Sequence, residues 1–264
     1  MNLYELRAAL ILEGGQIFKN PDGSAATQRI NLADIPHTLN WLNQITGLPT
    51  TDNALGSVGK KASSGDLDIV VDQNKISKDE LVAKLSAWAR SQGEDPHNWV
   101  RKSGISVHFL TPIGGDAKRG FVQTDFMFHD NIPWMKFSMY SAGDASRYSG
   151  ADRNMLMSSI AKARGLKYSW QKGLIRREDE SLISRDPNKI AAMLLGAKYR
   201  ADVFLSVEAM LTAIHNDSKL MALIMRLVNN LAQTENPDGS ARKPGEIRAN
   251  REELDRLRRL LDLH

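Results

Sequence analysis

The stretch Leu55-Gly56-Ser57-Val58-Gly59-Lys60-Lys61-Ala62-Ser63-Ser64-Gly65-Asp66-Leu67-Asp68-Ile69-Val70-Val71 joins a Gly-Ser turn, a short polar and basic loop, and an apolar strand carrying two carboxylates. Side chains alternate faces along a strand, so Asp66 and Asp68 point one way while Leu67 and Ile69 point into a core. Two like charges side by side on one face repel, and an ordinary strand gains nothing from them. A divalent cation bridging both removes the repulsion, and hard oxygen ligands are what Mg²⁺ prefers. The turn ahead of the strand offers backbone N–H groups, the Ser57 hydroxyl and close approach at Gly56, which a triphosphate requires. Together these features describe a nucleotide-phosphate and metal site.

A second strand strengthens that reading. In Phe121-Val122-Gln123-Thr124-Asp125-Phe126-Met127-Phe128, Asp125 stands in a strongly apolar run, where a lone carboxylate is costly. It is either a surface-facing or capped aspartate, or a third metal ligand on a strand beside the first. His108, on a strand with Phe109, reads as a packed core histidine, and His129 follows the third aspartate. Gly14-Gly15 and Gly114-Gly115 lack the strand-to-helix setting of a dinucleotide or P-loop motif and read as turns.

Working outward, Leu3–Leu12 and Ile35–Ile45 are expected as helices, the second with Pro36 in its first turn behind Asp34 as cap. Ser77 with Glu80 forms a capping box that opens a helix running to about Arg90. Strands are expected at Ala54–Leu55, Leu67–Val71, Ile105–Leu110, Gly120–Phe128 and Met135–Tyr140, with a turn at Pro112–Asp116 making a hairpin. Residues 93–98 read as a loop, and Asp152 as the cap of a helix ending near Gly165. Beyond Ser184 the pattern turns helical: from Asp186-Pro187, at Leu205–His215, at Ser218–Leu231, and, after a polar basic linker at Gly239–Gly245, at Arg251–Leu261. The hexapeptide Asn20–Ala25 recurs at Asn236–Ala241 with unmatched flanks, which marks a shared turn. The expected fold is α+β: a mixed sheet bearing three aspartates, with helical flanks. Its expected divisions are residues 1–50, 51–184 and 185–264.

The chain has 264 residues, 42% of them apolar and 25% charged, and no cysteine. Disulfides, thiolate zinc sites and cysteine nucleophiles are therefore excluded. No apolar run reaches the ~20 residues that span a bilayer, and the N-terminus lacks a secretory pattern, so no membrane partner and a cytoplasmic location are expected. Net charge is only +4, but it is unevenly spread. Arg147, Arg153, Lys162, Arg164, Lys167, Lys172, Arg176 and Arg177 face a single acid, Asp152, with Tyr148, Tyr168 and Trp170 among them. Such interleaving suits a phosphate backbone with stackable bases, or else a solvated face over core aromatics.

A Gly-Ser turn, about ten residues, Asp-x-Asp, and a later Asp on an adjacent strand resemble the pattern of the DNA polymerase beta-like nucleotidyltransferase superfamily, over roughly Leu55 to Gly165. The run Arg147-Tyr148-Ser149-Gly150-Ala151-Asp152-Arg153-Asn154, followed by a helix, looks like the nucleotide-gating segment of family X polymerases. Tyr140-Ser141-Ala142-Gly143-Asp144 offers an alternative alignment to it. The resemblance implies a polymerase beta palm-like core and two-metal phosphoryl transfer, with Asp66, Asp68 and Asp125 holding two Mg²⁺ ions, or Mn²⁺ in their place. Gly56, Ser57, Ser64, Lys60 or Lys61 would meet the phosphates, and Tyr148, Asp152 and Asn154 the sugar and base. Arg147, Arg153, Lys162, Lys167, Lys172 and Arg176 would meet a DNA or RNA acceptor. The chain departs from the pattern in having lysines after Gly-Ser where template-copying members show arginines. It also lacks a helix-hairpin-helix pair, a lyase-type lysine cluster and the Arg-Arg-Asp signature of bacterial CCA-adding enzymes. It is most like a small stand-alone member of the kind found in phage and mobile-element genomes. The implied reaction moves a nucleoside monophosphate from a triphosphate to a nucleic-acid 3′-hydroxyl. Transfer to a small molecule or protein hydroxyl, and a non-enzymatic nucleic-acid-binding protein of the same fold, are the alternatives.

Overall fold

The computed structural model describes residues 17–236 and 239–262; the helix expected at Leu3–Leu12 and the Gly14-Gly15 turn lie outside them. The chain divides into two compact units, Met1–Asp144 and Ala145–His264, whereas the sequence suggested a boundary forty residues later, where helices take over.

The first unit is built on a four-stranded mixed sheet in the order β3-β6-β5-β4. Its strands are β3 (Asp66–Asp72), β4 (Val100–Ser103), β5 (Ser106–Pro112) and β6 (Phe121–His129). β3 and β6 run parallel, and β6 and β5, like β5 and β4, are antiparallel. One face carries Leu67, Ile69, Val71, Val107, Phe109, Val122, Phe126 and Phe128, all buried in a single core. That core is covered by α1 (Ile35–Thr46), through Leu39 and Leu42, and by α2 (Lys78–Ser91), through Leu81, Leu85 and Ala89. Burying such side chains is worth about 1.5–3 kcal/mol each, so this face anchors the sheet. A small pair, β1 (Ile30–Asn31) and β2 (Ser63–Ser64), pins the loop ahead of β3.

The capping box on α2 forms as expected, with Glu80 N–H donating to Ser77 Oγ at 3.1 Å and Ser77 N–H to Glu80 Oε2 at 2.7 Å. The β5–β6 hairpin also forms, through two short 3₁₀ turns. Four expectations fail. Asp34 does not cap α1; its carboxylate pairs with Arg119. Met135–Tyr140 is not a strand; its first four residues belong to α4 (Ile132–Ser138), started by Asn131, whose side chain accepts from Trp134 N–H at 2.9 Å, and by Pro133 in the first turn. Residues 93–98 run into a helical turn, α3 (Pro96–Trp99), which leads to edge strand β4. The expected strand at Ala54–Leu55 reduces to an isolated bridge between Ala54 and Ile69.

The second unit holds α5 (Gly150–Ala163), an antiparallel sheet β7-β8-β9 (Leu166–Ser169, Gly173–Arg176, Leu182–Ser184), and helices α6 (Pro187–Leu195), α7 (Val207–His215), α8 (Ser218–Leu231) and α9 (Pro244–Leu261). β7 and β8 fall in the basic segment and β9 just beyond it, and none of the three was expected. α5 is capped by Ser149, and Asp152 completes the capping box from the third helical position instead of being the cap. α9 begins at Pro244, earlier than its apolar stripe suggested. The described residues of the repeated hexapeptide make the same contact twice: Asn20 Nδ2 meets Ser24 Oγ at 3.0 Å, and Asn236 Nδ2 meets Ser240 Oγ at 3.0 Å. Gly23 and Gly239 share φ of 83°. It is a shared turn.

Among the described residues, no helix is long and apolar enough to cross a membrane.

Candidate metal and phosphate site

Register brings the aspartates together. Asp68 on β3 lies directly beside Asp125 on β6, and Asp66 beside Gln123, so all three carboxylates leave the sheet on the face opposite the core. One oxygen from each can be chosen so that all lie within 4.8 Å of one another, and all three residues are half-buried. The electrostatic consequence is severe for Asp68. Burial, then the charge of Asp66, then that of Asp125 push its carboxyl well above the usual range. Asp66 is also pushed up, by burial first and then by Asp125, with the Asp66 backbone hydrogen bond and Arg29 pulling the other way. Among the described residues Asp68 has no basic ion-pair partner. Clustered hard oxygens, mutual repulsion and the lack of a protein cation on Asp68 fit a divalent cation.

The Gly-Ser turn is carried to the same place by backbone pairing with the edge of β3. Leu55 N–H donates to Asp68 O at 2.9 Å, and Val70 N–H donates to Asn53 O at 2.9 Å. Gly56 follows at φ of 61°, a left-handed conformation that a side chain would strain, and its Cβ position lies 3.7 Å from Asp68 Oδ2. Ser57 continues a double turn closed by Val58 N–H to Leu55 O and Lys60 N–H to Ser57 O. Ser64, on β2 just ahead of Asp66, has a buried hydroxyl without a hydrogen-bond partner among the described residues.

The two lysines differ. The Lys60 ammonium donates to Ser141 O at 3.1 Å and sits 4.7 Å above the Tyr140 ring, and its partial desolvation lowers its pKa. Lys60 therefore ties the Gly-Ser loop to residues 140–144, whereas Lys61 makes no hydrogen bond or ion pair among the described residues. Gly143, at φ of 65°, abuts the Lys60 backbone so closely that an added Cβ would collide with its carbonyl.

The remaining expected residues belong to the second unit. Tyr148 lies under the Arg147 guanidinium, 4.8 Å away, and its hydroxyl accepts from Arg147 at 2.6 Å. Asp152 accepts from Ser149 N–H at 2.9 Å and Ser149 Oγ at 2.7 Å and pairs with Arg256 at 3.4 Å. Asn154 Oδ1 accepts from Arg153 at 3.1 Å. The basic segment is largely committed internally. Arg153 is only 3% exposed and donates to Phe204 O, so it is a buried structural residue and unavailable to a nucleic acid. Lys162 pairs with Glu253 at 3.0 Å, and Lys167 and Lys172 both pair with Glu180. Arg147 and Arg176 remain exposed.

Three residues join the site that sequence reasoning did not assign to it. Arg29 Nε donates to Ser63 Oγ at 3.0 Å and its Nη2 to Ser63 O at 2.9 Å, which holds its charge near Asp66. No local motif marks it. Gln123 Nε2 lies 2.9 and 3.2 Å from the two Asp125 oxygens; the alternation that selects Asp125 also puts Gln123 on the same face. His108 Nδ1 lies 2.8 Å from Asp125 Oδ1 and its Nε2 3.1 Å from Ser103 Oγ. His129 instead organises the turn into α4, its Nδ1 accepting from Asn131 N–H at 2.9 Å.

No protein-family model matches the chain, and no curated protein matches its sequence.

Proposed function

We propose that the chain is a nucleotidyltransferase with a polymerase beta palm-like core, moving a nucleoside monophosphate from a triphosphate to a nucleic-acid 3′-hydroxyl. The observation that carries this reading is the convergence of Asp66, Asp68 and Asp125 on one sheet face beside the Gly56-Ser57 turn. Asp66, Asp68 and Asp125 would hold Mg²⁺. Bound there, the metal supplies charge stabilisation for the entering and leaving oxygens of an in-line displacement. The chain's own groups do the rest. Gly56, Ser57 and Lys61 hold the β- and γ-phosphates, and Arg29 adds positive charge at the mouth of the loop. Asp125 takes the proton of the attacking hydroxyl. The hydroxyl oxygen bonds to the α-phosphorus, the bond from that phosphorus to the bridging oxygen breaks, and pyrophosphate leaves with the electron pair.

The internal pairing of Lys162, Lys167 and Lys172 and the burial of Arg153 favour a second reading of the acceptor, a small-molecule or protein hydroxyl. A purely non-enzymatic scaffold is disfavoured because three mutually repelling carboxylates destabilise a fold that makes no use of them. The test is incorporation of each labelled ribo- and deoxyribonucleoside triphosphate into DNA primers, primer–templates and bulk tRNA with Mg²⁺ or Mn²⁺. Transfer that disappears in the Asp66→Ala/Asp68→Ala double variant supports the proposal. Triphosphate binding without labelling moves the acceptor to the second reading, and the absence of both overturns the enzyme.

A further inference from the structure

Asp125 differs from its two companions in how the sheet holds it. Asp66 and Asp68 are set against neighbouring carboxylates that repel them, whereas Asp125 is fixed by two side chains that approach from different directions. Gln123, two residues earlier on the same strand and therefore on the same face, reaches both of its oxygens. His108 stands directly opposite Asp125 in the β5–β6 register, its ring 9% exposed, with Nδ1 2.8 Å from Oδ1. An ionised carboxylate can only accept, so Nδ1 is the ring nitrogen that carries the hydrogen in this contact. The other nitrogen faces Ser103 Oγ at 3.1 Å. Ser103 closes β4 and Ser106 opens β5, paired across the tight connection, so the far end of the ring is held by the hairpin itself. The imidazole is thus pinned at both ends, and its direction is set by backbone pairing.

The chemical effect is to make the two oxygens of Asp125 unequal. Oδ1 receives His108 and the shorter Gln123 contact, while among the described residues Oδ2 has only the longer Gln123 contact. Without those donors the carboxylate could rotate about its terminal torsion, which is broad and nearly twofold, and would swing from its companions under their repulsion. Partners that orient a metal-binding side chain typically matter by about 10–100-fold in metal affinity.

We propose that His108, braced by Ser103, is a positioning residue that locks Asp125 with Oδ2 turned toward Asp66 and Asp68, so that the third ligand is in place before any metal arrives. This rests on the metal-site reading above. The test compares His108→Asn with His108→Gln in the full chain. An Asn amide nitrogen falls near the place of Nδ1 and can donate to Asp125; a Gln amide nitrogen falls near Nε2 and reaches only toward Ser103. Mn²⁺ affinity is read by electron paramagnetic resonance, alone and with a non-hydrolysable triphosphate, and melting temperature is recorded beside it. The expected result is Mn²⁺ binding weakened about 10–100-fold in His108→Gln and within a few-fold of wild type in His108→Asn. In turnover, His108→Gln should lower kcat with little change in the KM for triphosphate, because the phosphate-holding loop is untouched. Equal Mn²⁺ affinity in wild type and His108→Gln overturns the positioning role while leaving the metal site standing. So does a His108→Asn protein as weak as His108→Gln. A wild-type protein that binds no Mn²⁺ with or without triphosphate overturns the metal reading itself.

Discussion

Asp68 shows how one residue can set the pH behaviour of a site. The folded protein holds protons on Asp66 and Asp68 more tightly than an unfolded chain does, since burial and neighbouring carboxylates raise both. Their contribution to stability is therefore fully present below the ordinary carboxylate value of 3.8 and is lost as pH rises through the raised folded values. In metal-free protein these two groups therefore contribute a loss of stability from acid toward neutral pH, set against the opposite contribution of carboxylates held low, such as Glu180. Asp68→Asn, which keeps the shape and removes the charge, should flatten that decline and raise neutral-pH stability by about 1 kcal/mol. Saturating divalent cation should reverse the order, stabilising wild type and leaving the variant unchanged. Thermal melts across pH with and without Mg²⁺ check both statements, and identical pH profiles for the two proteins would refute them. At the same scale the two loop lysines separate by role. Lys60→Ala should lower stability by about 1 kcal/mol through its lost contacts to Ser141 and Tyr140. Lys61→Ala should spare stability and raise the KM for triphosphate about tenfold, as expected for one charge-assisted hydrogen bond.

At the scale of elements, what could be read in advance follows from how local the signal is. The capping box of α2 and the alternation in β3 and β6 are written within a few residues, and both form as read. Asp125 was legible because an acid in so apolar a strand needs a reason. Met135–Tyr140 misled because its apolar residues also suit a strand; Asn131 and Pro133, just upstream, start a helix instead. β4 and the strands β7 to β9 are three or four residues each, too short to show a period, and exist through pairing with partners. His108 was read as core because nothing in sequence tells which strand will lie opposite it. The contact between the Gly-Ser loop and residues 140–144 is equally invisible in sequence, and it depends on Gly143. Gly143→Ala should cost about 1–3 kcal/mol, from the left-handed backbone and the collision with the Lys60 carbonyl. Denaturant titration measures this, and a loss within error of zero would mean the loop is not held as described.

Over the whole molecule, net charge is modest and its apparent concentration between Arg147 and Arg177 is deceptive. The acids that neutralise it lie just past the segment, in Glu180, and far along the chain, in Glu253. Two lysines hold the Glu180 carboxyl down to about 2. If nucleic acid is the acceptor, Glu180→Gln should release Lys167 and Lys172 to meet phosphates, making the slope of log K against log salt more negative by about 1.5. An unchanged slope would point to an acceptor that is not a polyanion. The expected boundary after Ser184 followed the onset of helices, whereas the compact units divide after Asp144; compactness depends on contacts between distant segments, which composition does not report.

The parallel pairing of β3 with β6 has a consequence for the order in which the protein assembles. α2, α3, β4 and β5 all lie between Asp68 and Asp125 along the chain, so the two ligands become neighbours only once that crossover has closed. Such closure is slow, because the loop entropy is spent before the contacts form. A cation at the site therefore cannot guide the chain to its fold; it rewards the finished sheet alone. In stopped-flow experiments Mg²⁺ with triphosphate should slow unfolding and leave the refolding rate where it was.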